Sequence, residues 1–299
     1  MANVTTTTAA NFIPEIWANT ALTALRSRLR LARLVTKDTD VTNAFTVGDI
    51  LHIPAPGTFV ATPKTANTAV TLQAPSDSEV TVTLNKHKEV SFLIEDPVRA
   101  QENQSVMDRY ATNAVIPIAN AIEDDLFALY AGFSSSPLGG ASAFDAIRTR
   151  SARQVLNDAN VPEQGRNLVI TASAEMALLA DANIQSYFQN SRSGNVEEGF
   201  VGRLYGFDVW YSNRVPLATT YKNLAFQTEA MILAMRRLPD PPPGSGATSA
   251  TVTDPETGLM LRATTAYNAS FLGVQVTFDV LYGVAELRDA CGVVVQSNA

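Results

Sequence analysis

Residues Glu197–Pro216 read EEGFVGRLYGFDVWYSNRVP, with Gly199, Gly202 and Gly206 set in front of an apolar run. A loop that cradles phosphate follows a strand and opens a helix whose free N–H groups face the anion. Here the order is different. The glycines follow the polar run NSRSGNVEE and lead into FDVWYS, whose β-branched and aromatic residues predict a strand. Their GxxGxxxG spacing matches neither the dinucleotide fingerprint nor the P-loop. The stretch therefore reads as turn glycines that supply φ > 0 ahead of a strand, which points away from a nucleotide enzyme and toward a scaffold.

The chain has 299 residues, 46% of them hydrophobic, enough for a full core in one large or two modest domains. No run approaches the roughly 18 consecutive apolar residues of a membrane span. The opening MANVTTTTAANFIPEIW carries neither the basic nor the apolar region of a signal peptide, so a cytosolic chain is expected. Cys291 stands alone, which excludes an internal disulfide framework and fits a reducing compartment. A net charge of −7 argues against broad nonspecific nucleic-acid binding, with room left for a local basic patch.

Few residues could carry chemistry. His52 and His87 are the only histidines, short of the three or four Cys/His ligands of a zinc site. Both fall on predicted strands flanking a loop; they either face each other across a hairpin or, the favoured reading, stand singly, exposed or satisfied. No GxSxG elbow exists to anchor a serine hydrolase. Glu123, Asp124 and Asp125 sit in helical context, where neighbours point about 100° apart. The three carboxylates thus do not converge on one atom, and a solvated helix face is expected. No catalytic residue, cofactor or metal follows from the sequence.

Residues 12 to 37, with Pro14 near the start and strong helix formers throughout, predict a helical arm. At about 100° per residue, Arg26, Arg30, Arg33 and Lys37 fall within a roughly 60° wedge. Leu22, Leu25, Leu29 and Ala32 form an adjoining apolar stripe. Two readings of the cationic face stand: solvated surface, slightly favoured, or a docking face for another subunit or an anionic partner.

From 46 to 95 the pattern is β. TVGDILHIPAPG and EVTVTLNKHKEVSFLIE read as strands, the second alternating at Val80, Val82 and Leu84. Between them TFVATPKTANTAVTLQAPSDS is rich in Thr, Ala and Pro, a composition that predicts an extended hairpin reaching away from its own body. Phe59 and Lys64 near its tip are candidate contacts with a neighbour. An isolated two-stranded ribbon is marginal in water, so the hairpin calls for one.

A long helix follows, with Asp96 as cap, Pro97 in the first turn and Gly132 as stop. Val106, Tyr110, Ala114, Ile118, Ile122, Leu126 and Leu129 recur at helical spacing, and Pro117 inside should bend or locally break it. After SSSPLGGASA, DAIRTRSARQVLNDANVP reads as helix, NLVITA as strand, SAEMALLADA as helix, and FDVWYS and EAMILAMR as strands. PDPPPGSGATSATVTDPETG reads as loop. The terminal LMLRATTAYNASFLGVQVTFDVLYGVAEL is long-strand material, and CGVVVQ is a last short strand.

This order of elements resembles the major capsid proteins of tailed phages, the Hong Kong-ninety-seven-type fold that encapsulin shells share. NFIPEIWANTALTALRSRLRLARLV resembles the family's arm, and VSFLIEDPVRAQ with DRYATNAVIPIANAIEDDLFALYAG its spine helix. LLADANIQSYFQNSRSGNVEEGFVGRLYGFDVWYSNRVP is similar to its axial-domain turn and strand. The resemblance covers nearly the whole chain and implies an α+β phage capsid fold. It implies an N-terminal arm over 1–45 and an extended hairpin loop over 46–95. A peripheral domain with spine helix and sheet would span 96–133 and 239–283, and an α/β axial domain 134–238 and 284–299.

The implied role is a structural, non-enzymatic shell subunit of the virion capsid, assembled in the host cytoplasm. It would form hexamers and pentamers of an icosahedral shell around double-stranded DNA, without sequence-specific binding and without a membrane. Only about a dozen residues precede the arm, so the resemblance implies a separate scaffolding protein, or unaided assembly, together with a portal. Arg26, Arg30, Arg33 and Lys37 would meet acidic surface on a neighbour or scaffold. Lys64 is the one obvious lysine near the hairpin tip for the intersubunit crosslinks seen in part of the family. An encapsulin-type compartment is the alternative within the fold; a metabolic α/β enzyme and a monomeric binding module are alternatives outside it.

Overall fold

The computed structural model describes residues 18–19, 21–23, 25, 29–37, 50–55, 59–74, 78–97, 104–135, 138–140, 142–180, 200–253 and 258–298. In the arm, residues 18–19, 21–23 and 25 are helical; a break at Leu29–Arg30 precedes a short helix, Leu31–Leu34 (α1), and the strand Thr36–Lys37 (β1). Strands Ile50–Ala55 (β2), Ser78–Thr83 (β3) and Lys86–Glu95 (β4) come next, then the spine helix Gln104–Phe127 (α2) and a 3₁₀ turn Ala128–Ala131. Strand Leu138–Gly139 (β5), helix Ala146–Asp158 (α3), strand Arg166–Ile170 (β6) and helix Ala172–Ala180 (α4) follow. The remainder is β: Phe200–Leu204 (β7), Phe207–Tyr211 (β8), Tyr221–Gln227 (β9), Met231–Arg236 (β10), Ala247–Thr253 (β11), Met260–Asn268 (β12), Gly273–Glu286 (β13) and Gly292–Ser297 (β14).

The first six-stranded sheet is built on β13. Residues 273–279 pair with β12 and 281–286 with β10, while 273–282 also pair with β4, all antiparallel. Strands β12 and β10 thus follow one another along one edge of β13, and β4 runs along the other. Strand β11 extends the sheet beyond β12, and β1 joins β10 in parallel. This redraws two sequence expectations. Residues 86–95, expected in the hairpin segment, belong to this sheet, and so does β10, expected in the axial segment. The run expected as loop contains β11, because the Thr and Val of ATSATVT form a ladder that the surrounding Pro and Gly conceal.

The second six-stranded sheet runs β5-β14-β9-β6-β8-β7. The opening glycines find their use here. Strands β7 and β8 are antiparallel and close through Tyr205 and Gly206, whose φ values are +49° and +86°. Two positive φ values in a two-residue loop are the type I′ turn that matches strand twist. Gly202, at φ +137°, sits where the β7–β8 register shifts. The Arg150 guanidinium on α3 lies 5.8 Å from the Tyr205 ring centroid and braces the turn. Helix α3 starts at Asp145, whose side chain accepts from the Arg148 amide at 2.9 Å.

The spine helix joins the two halves. Val115, Ile118, Ala119, Ile122, Leu126 and Phe127 are buried, while Tyr110, Asn113 and Pro117 are exposed. The helix passes through Pro117 without interruption, contrary to a local break. Pro117 and Asn113 share the solvent side, so the carbonyl that proline leaves unpaired faces water. Asp96 and Pro97 are helical, and Gln104 is the first described residue of the long helix.

The base of the hairpin rests on the first sheet. Leu51, Val82 and Leu84 pack with Ile232 and Ala234 in a small core of their own. The approach is close enough that a Cβ on Gly283 would stand 2.4 Å from the Thr83 carbonyl oxygen, a backbone atom that cannot swing aside. Gly283→Ala is therefore expected to cost about 1–3 kcal/mol by overpacking. Thermal unfolding checks it: a Tm equal to wild type would show that the hairpin base yields freely.

Candidate inter-subunit surfaces

The hairpin beyond its base, residues 59–74, is exposed along its whole length. Its two sides are tied by one side chain: Gln73 accepts from the Val60 amide at 2.9 Å and donates back to the Val60 carbonyl. The tip turns through Asn67 at φ +59°, a conformation asparagine tolerates. Lys64 closes it by donating to the Thr65 carbonyl at 2.8 Å and to the carbonyl and hydroxyl of Thr68. Phe59, Val60, Val70 and Leu72 are 71%, 68%, 67% and 90% exposed. Four large apolar side chains on one thin ribbon form a surface that the subunit itself does not cover.

The arm departs from its expected form. The stripe Leu25, Leu29 and Ala32 is buried in the main core, with Leu22 packed against it. The cationic wedge, however, requires one unbroken helix, and the break at Leu29–Arg30 dissolves it. Arg26 lies outside the described residues, Arg33 is exposed, and Lys37 sits on β1 beside β10, its Nζ 3.3 Å from the Arg33 carbonyl.

The carboxylate run is also corrected. Glu123, Asp124 and Asp125 point in three directions, as helix geometry requires, and each meets a different part of the molecule; Asp124 stays exposed, as a solvated face predicts, whereas Glu123 is buried and Asp125 partly so. Glu123, 2% exposed, accepts from the amides of Arg30, Leu31 and Ala32 at 2.8, 3.1 and 3.1 Å. Asp124 receives both nitrogens of a fork from Arg214, beyond β8. Asp125 accepts from Tyr282 on β13 at 2.6 Å and pairs with Lys86 on β4 at 2.8 Å. Burial pushes Asp125 up, but the bonds from Lys86 and Tyr282 outweigh it and hold the carboxyl below its ordinary value. A run of acidic letters on a helix carries no mark of which letter is buried, so the sequence could not find this junction.

The histidines do not face each other. His52 meets Glu79 across the hairpin base at 3.2 Å, and His87 meets Asp279 at 3.0 Å, where Arg262 also binds. Cys291 is buried, and burial pushes its thiol up. Among the described residues no group of three or more His, Cys, Asp or Glu could hold a metal ion, and no helix is long and apolar enough to cross a membrane.

No family model and no curated protein matches the chain. Solved structures do. One from Mycobacterium phage Che8 is 21% identical, with 89% of this chain and 90% of that one covered at a TM-score of 0.61. The capsid structure of cyanophage P-SCSP1u is 17% identical, with 89% and 87% covered at 0.62. The capsid of an empty GTA particle is 13% identical, with 91% and 90% covered at 0.57. These likenesses establish the fold: the chain has the α+β phage capsid fold over nearly its whole length.

Glu123 carries a pH dependence that the fold makes measurable. Burial raises its carboxyl from 4.5 to about 7, against the opposing pull of the three amides and of Arg30. A group whose folded value is raised stabilises the fold fully below its ordinary value, and that stability is lost as pH rises through the folded value. The stability of wild type relative to Glu123→Gln is thus expected to fall by about 3 kcal/mol from below pH 4.5 to above 7. Urea unfolding of both proteins across that range measures it, and a flat difference would mean the carboxylate titrates as in solvent.

Proposed function

We propose that this chain is a major capsid protein of a tailed phage. It would be a structural subunit without a catalytic site that assembles into hexamers and pentamers of an icosahedral shell around double-stranded DNA. The observation that carries the reading is the exposed hairpin with Phe59, Val60, Val70 and Leu72 uncovered, on a fold whose solved counterparts include phage capsids. Fold alone does not fix function; an uncovered apolar ribbon on that fold supports a role in association.

On this reading the first sheet and the spine helix form the peripheral body, and the second sheet with α3 and α4 forms the axial body at the ring centre. The hairpin lies across the adjacent subunit, with Phe59 among its contacts. Lys64, engaged with its own turn, first has to leave those carbonyls if it is to form a crosslink. Arg33, exposed on the arm, would face an acidic neighbour or a separate scaffolding protein. Repeated head-to-tail contacts close into rings, and one subunit serves rings of different size when arms and hairpins absorb the change in angle. A net charge of −7 suits a shell that holds DNA without gripping it, and a portal and the virion are the corresponding partner and location.

The test is assembly of the purified protein, followed by electron microscopy and sedimentation. Closed particles, or rings of five and six, are expected. Deleting 60–76 and joining the ends through Asn-Gly is expected to leave the unfolding temperature of the subunit nearly unchanged, because surface-loop length costs little. Regular particles are expected to be lost. Normal shells from the shortened protein would remove the hairpin from the assembly contact, and monomer alone across salt and concentration would remove the capsid reading. Packaged nucleic acid rather than a protein cargo separates a phage capsid from an encapsulin-type shell.

A further inference from the structure

The strands that end the two six-stranded sheets are blunted, with one exception. Strands β1 and β5 are two residues long. Strand β7 pairs with β8 through a register shift between Phe200 and Gly202, and β4 opens on the charged run KHKE. Short, bulged and charged edges are the forms in which folded proteins keep sheets from joining edge to edge. Strand β11 has none of these. Its seven residues, ATSATVT, carry no charge, proline or glycine, and they pair with β12 without a break from Ala247 to Thr253. Among the described residues no strand lies along its other side, so alternate residues there direct an amide and a carbonyl outward with no ladder to receive them.

The strand is also complementary to itself. Antiparallel pairing sets outward-pointing residues opposite one another, so two copies of one strand meet about a residue and not between two. A two-fold at Ala250 uses the whole strand: Ala247 stands opposite Thr253, Thr248 opposite Val252, and Ser249 opposite Thr251 of the second copy. Each face then continues. Ala250 and Val252, which pack on the core, stay on the core side, and Ser249 and Thr251 meet on the other. Thr251 supplies an independent sign. Among the described residues its hydroxyl is the one buried side-chain polar atom without a hydrogen-bond partner, a state that native proteins seldom keep. The Ser249 hydroxyl gives its proton to Asp240 at 2.8 Å and keeps lone pairs with which to accept one.

We propose that β11 is a self-pairing edge: two copies of the chain join antiparallel through residues 247–253, about a two-fold at Ala250, and their first sheets become one continuous sheet. The Thr251 hydroxyl, turned to the outer side of the strand, donates to Ser249 of the second copy, a hydroxyl pair that suits directly opposite positions. Rings close through head-to-tail contacts, whereas this contact uses the same patch on both partners. Under the capsid reading, on which this placement rests, it ties a subunit of one ring to a subunit of the next. A single ladder is a small contact, weak between free subunits and strengthened when many copies are held side by side.

Disulfide trapping reads a weak contact and its register together. With Cys291→Ala as background, the Ser249→Cys and Thr251→Cys proteins are prepared separately, mixed and mildly oxidised. The mixture is expected to crosslink about fivefold faster than either protein alone, because only directly opposite positions bring two Cβ atoms near disulfide reach. In the trapped dimer, alternate amides of 248–252 are expected to exchange with solvent about tenfold more slowly than in the monomer. Equal crosslinking alone and mixed would mean chance collision, and a trapped dimer without slowed exchange would mean side chains that touched without a ladder; either overturns the proposal. Wild type needs no substitution: its exchange over 247–253 must slow as concentration rises or on assembly, and amides that stay fast in both sink the self-pairing edge. Protection of β11 in assembled particles, with no crosslink in the mixture, would give the edge to a different segment and overturn it equally. Self-pairing in a protein that never forms particles would remove the capsid reading alone, and particles with a fast-exchanging β11 would remove this proposal alone.

Discussion

The buried carboxylate of Glu123 is the interaction on which the arrangement of this subunit turns. An ionisable group that is 2% exposed is costly unless its oxygens are filled, and here they are filled by three consecutive amides of another segment. The arm is therefore fixed to the spine helix with direction as well as contact. The next two residues continue the fastening at falling strength. Asp125, half-buried between Lys86 and Tyr282, ties the helix to β4 and β13. Asp124, in an exposed pair with Arg214, reaches toward the second sheet and contributes least, since exposed ion pairs are worth about 0–1 kcal/mol. One turn of one helix thus touches arm, first sheet and second sheet in order of decreasing burial.

Strand β13 plays the corresponding part in the backbone. Its 14 residues accept β4 on one edge and β12 then β10 on the other, so the segment before the spine helix and the segments after the second sheet meet on a single strand. Connections this distant in sequence cannot be replaced locally, and the chain fits them tightly. Besides Gly283, Gly273 leaves no room for a Cβ, which would stand 2.6 Å from the Ile94 carbonyl oxygen.

The parts of this fold that were legible in the sequence are those whose signal is local. Gly206 before FDVWY marked its turn because positive φ favours that residue type, and Pro and helix formers marked the spine. Strand β9, in the middle of the second sheet, left no trace: its last five residues are all buried, so NLAFQ shows no alternation for a period to detect. Strand β11 was masked by neighbouring Pro and Gly. The arm departs from its sequence pattern for the opposite reason: its local signal for helix is genuine, and a partner 93 residues away overrides it at Arg30. The candidate surface was half legible. Poor core composition exposed the hairpin as a protrusion, but the carboxylate junction depends on which of three adjacent acids is buried, a fact of tertiary structure alone.

The hairpin's construction bears on how it would be used. Disordered segments that fold on a partner give up binding energy to ordering, whereas a segment already in shape does not. Here Gln73 clasps the Val60 backbone from both sides of its amide, Asn67 makes the turn, and Lys64 neutralises carbonyls at the tip. These are internal bonds made by a ribbon with no core, and they hold its strands together while Leu72 and Phe59 stay uncovered. Lys64, the single charged residue from 59 to 74, is turned onto its own turn instead of guarding the apolar side chains, so the ribbon lacks the charged gatekeepers that usually blunt an exposed apolar edge. Polar clasps that set the shape, combined with apolar side chains left unguarded, suit a contact made by a preshaped ribbon against a complementary face, with little left to order when the contact forms.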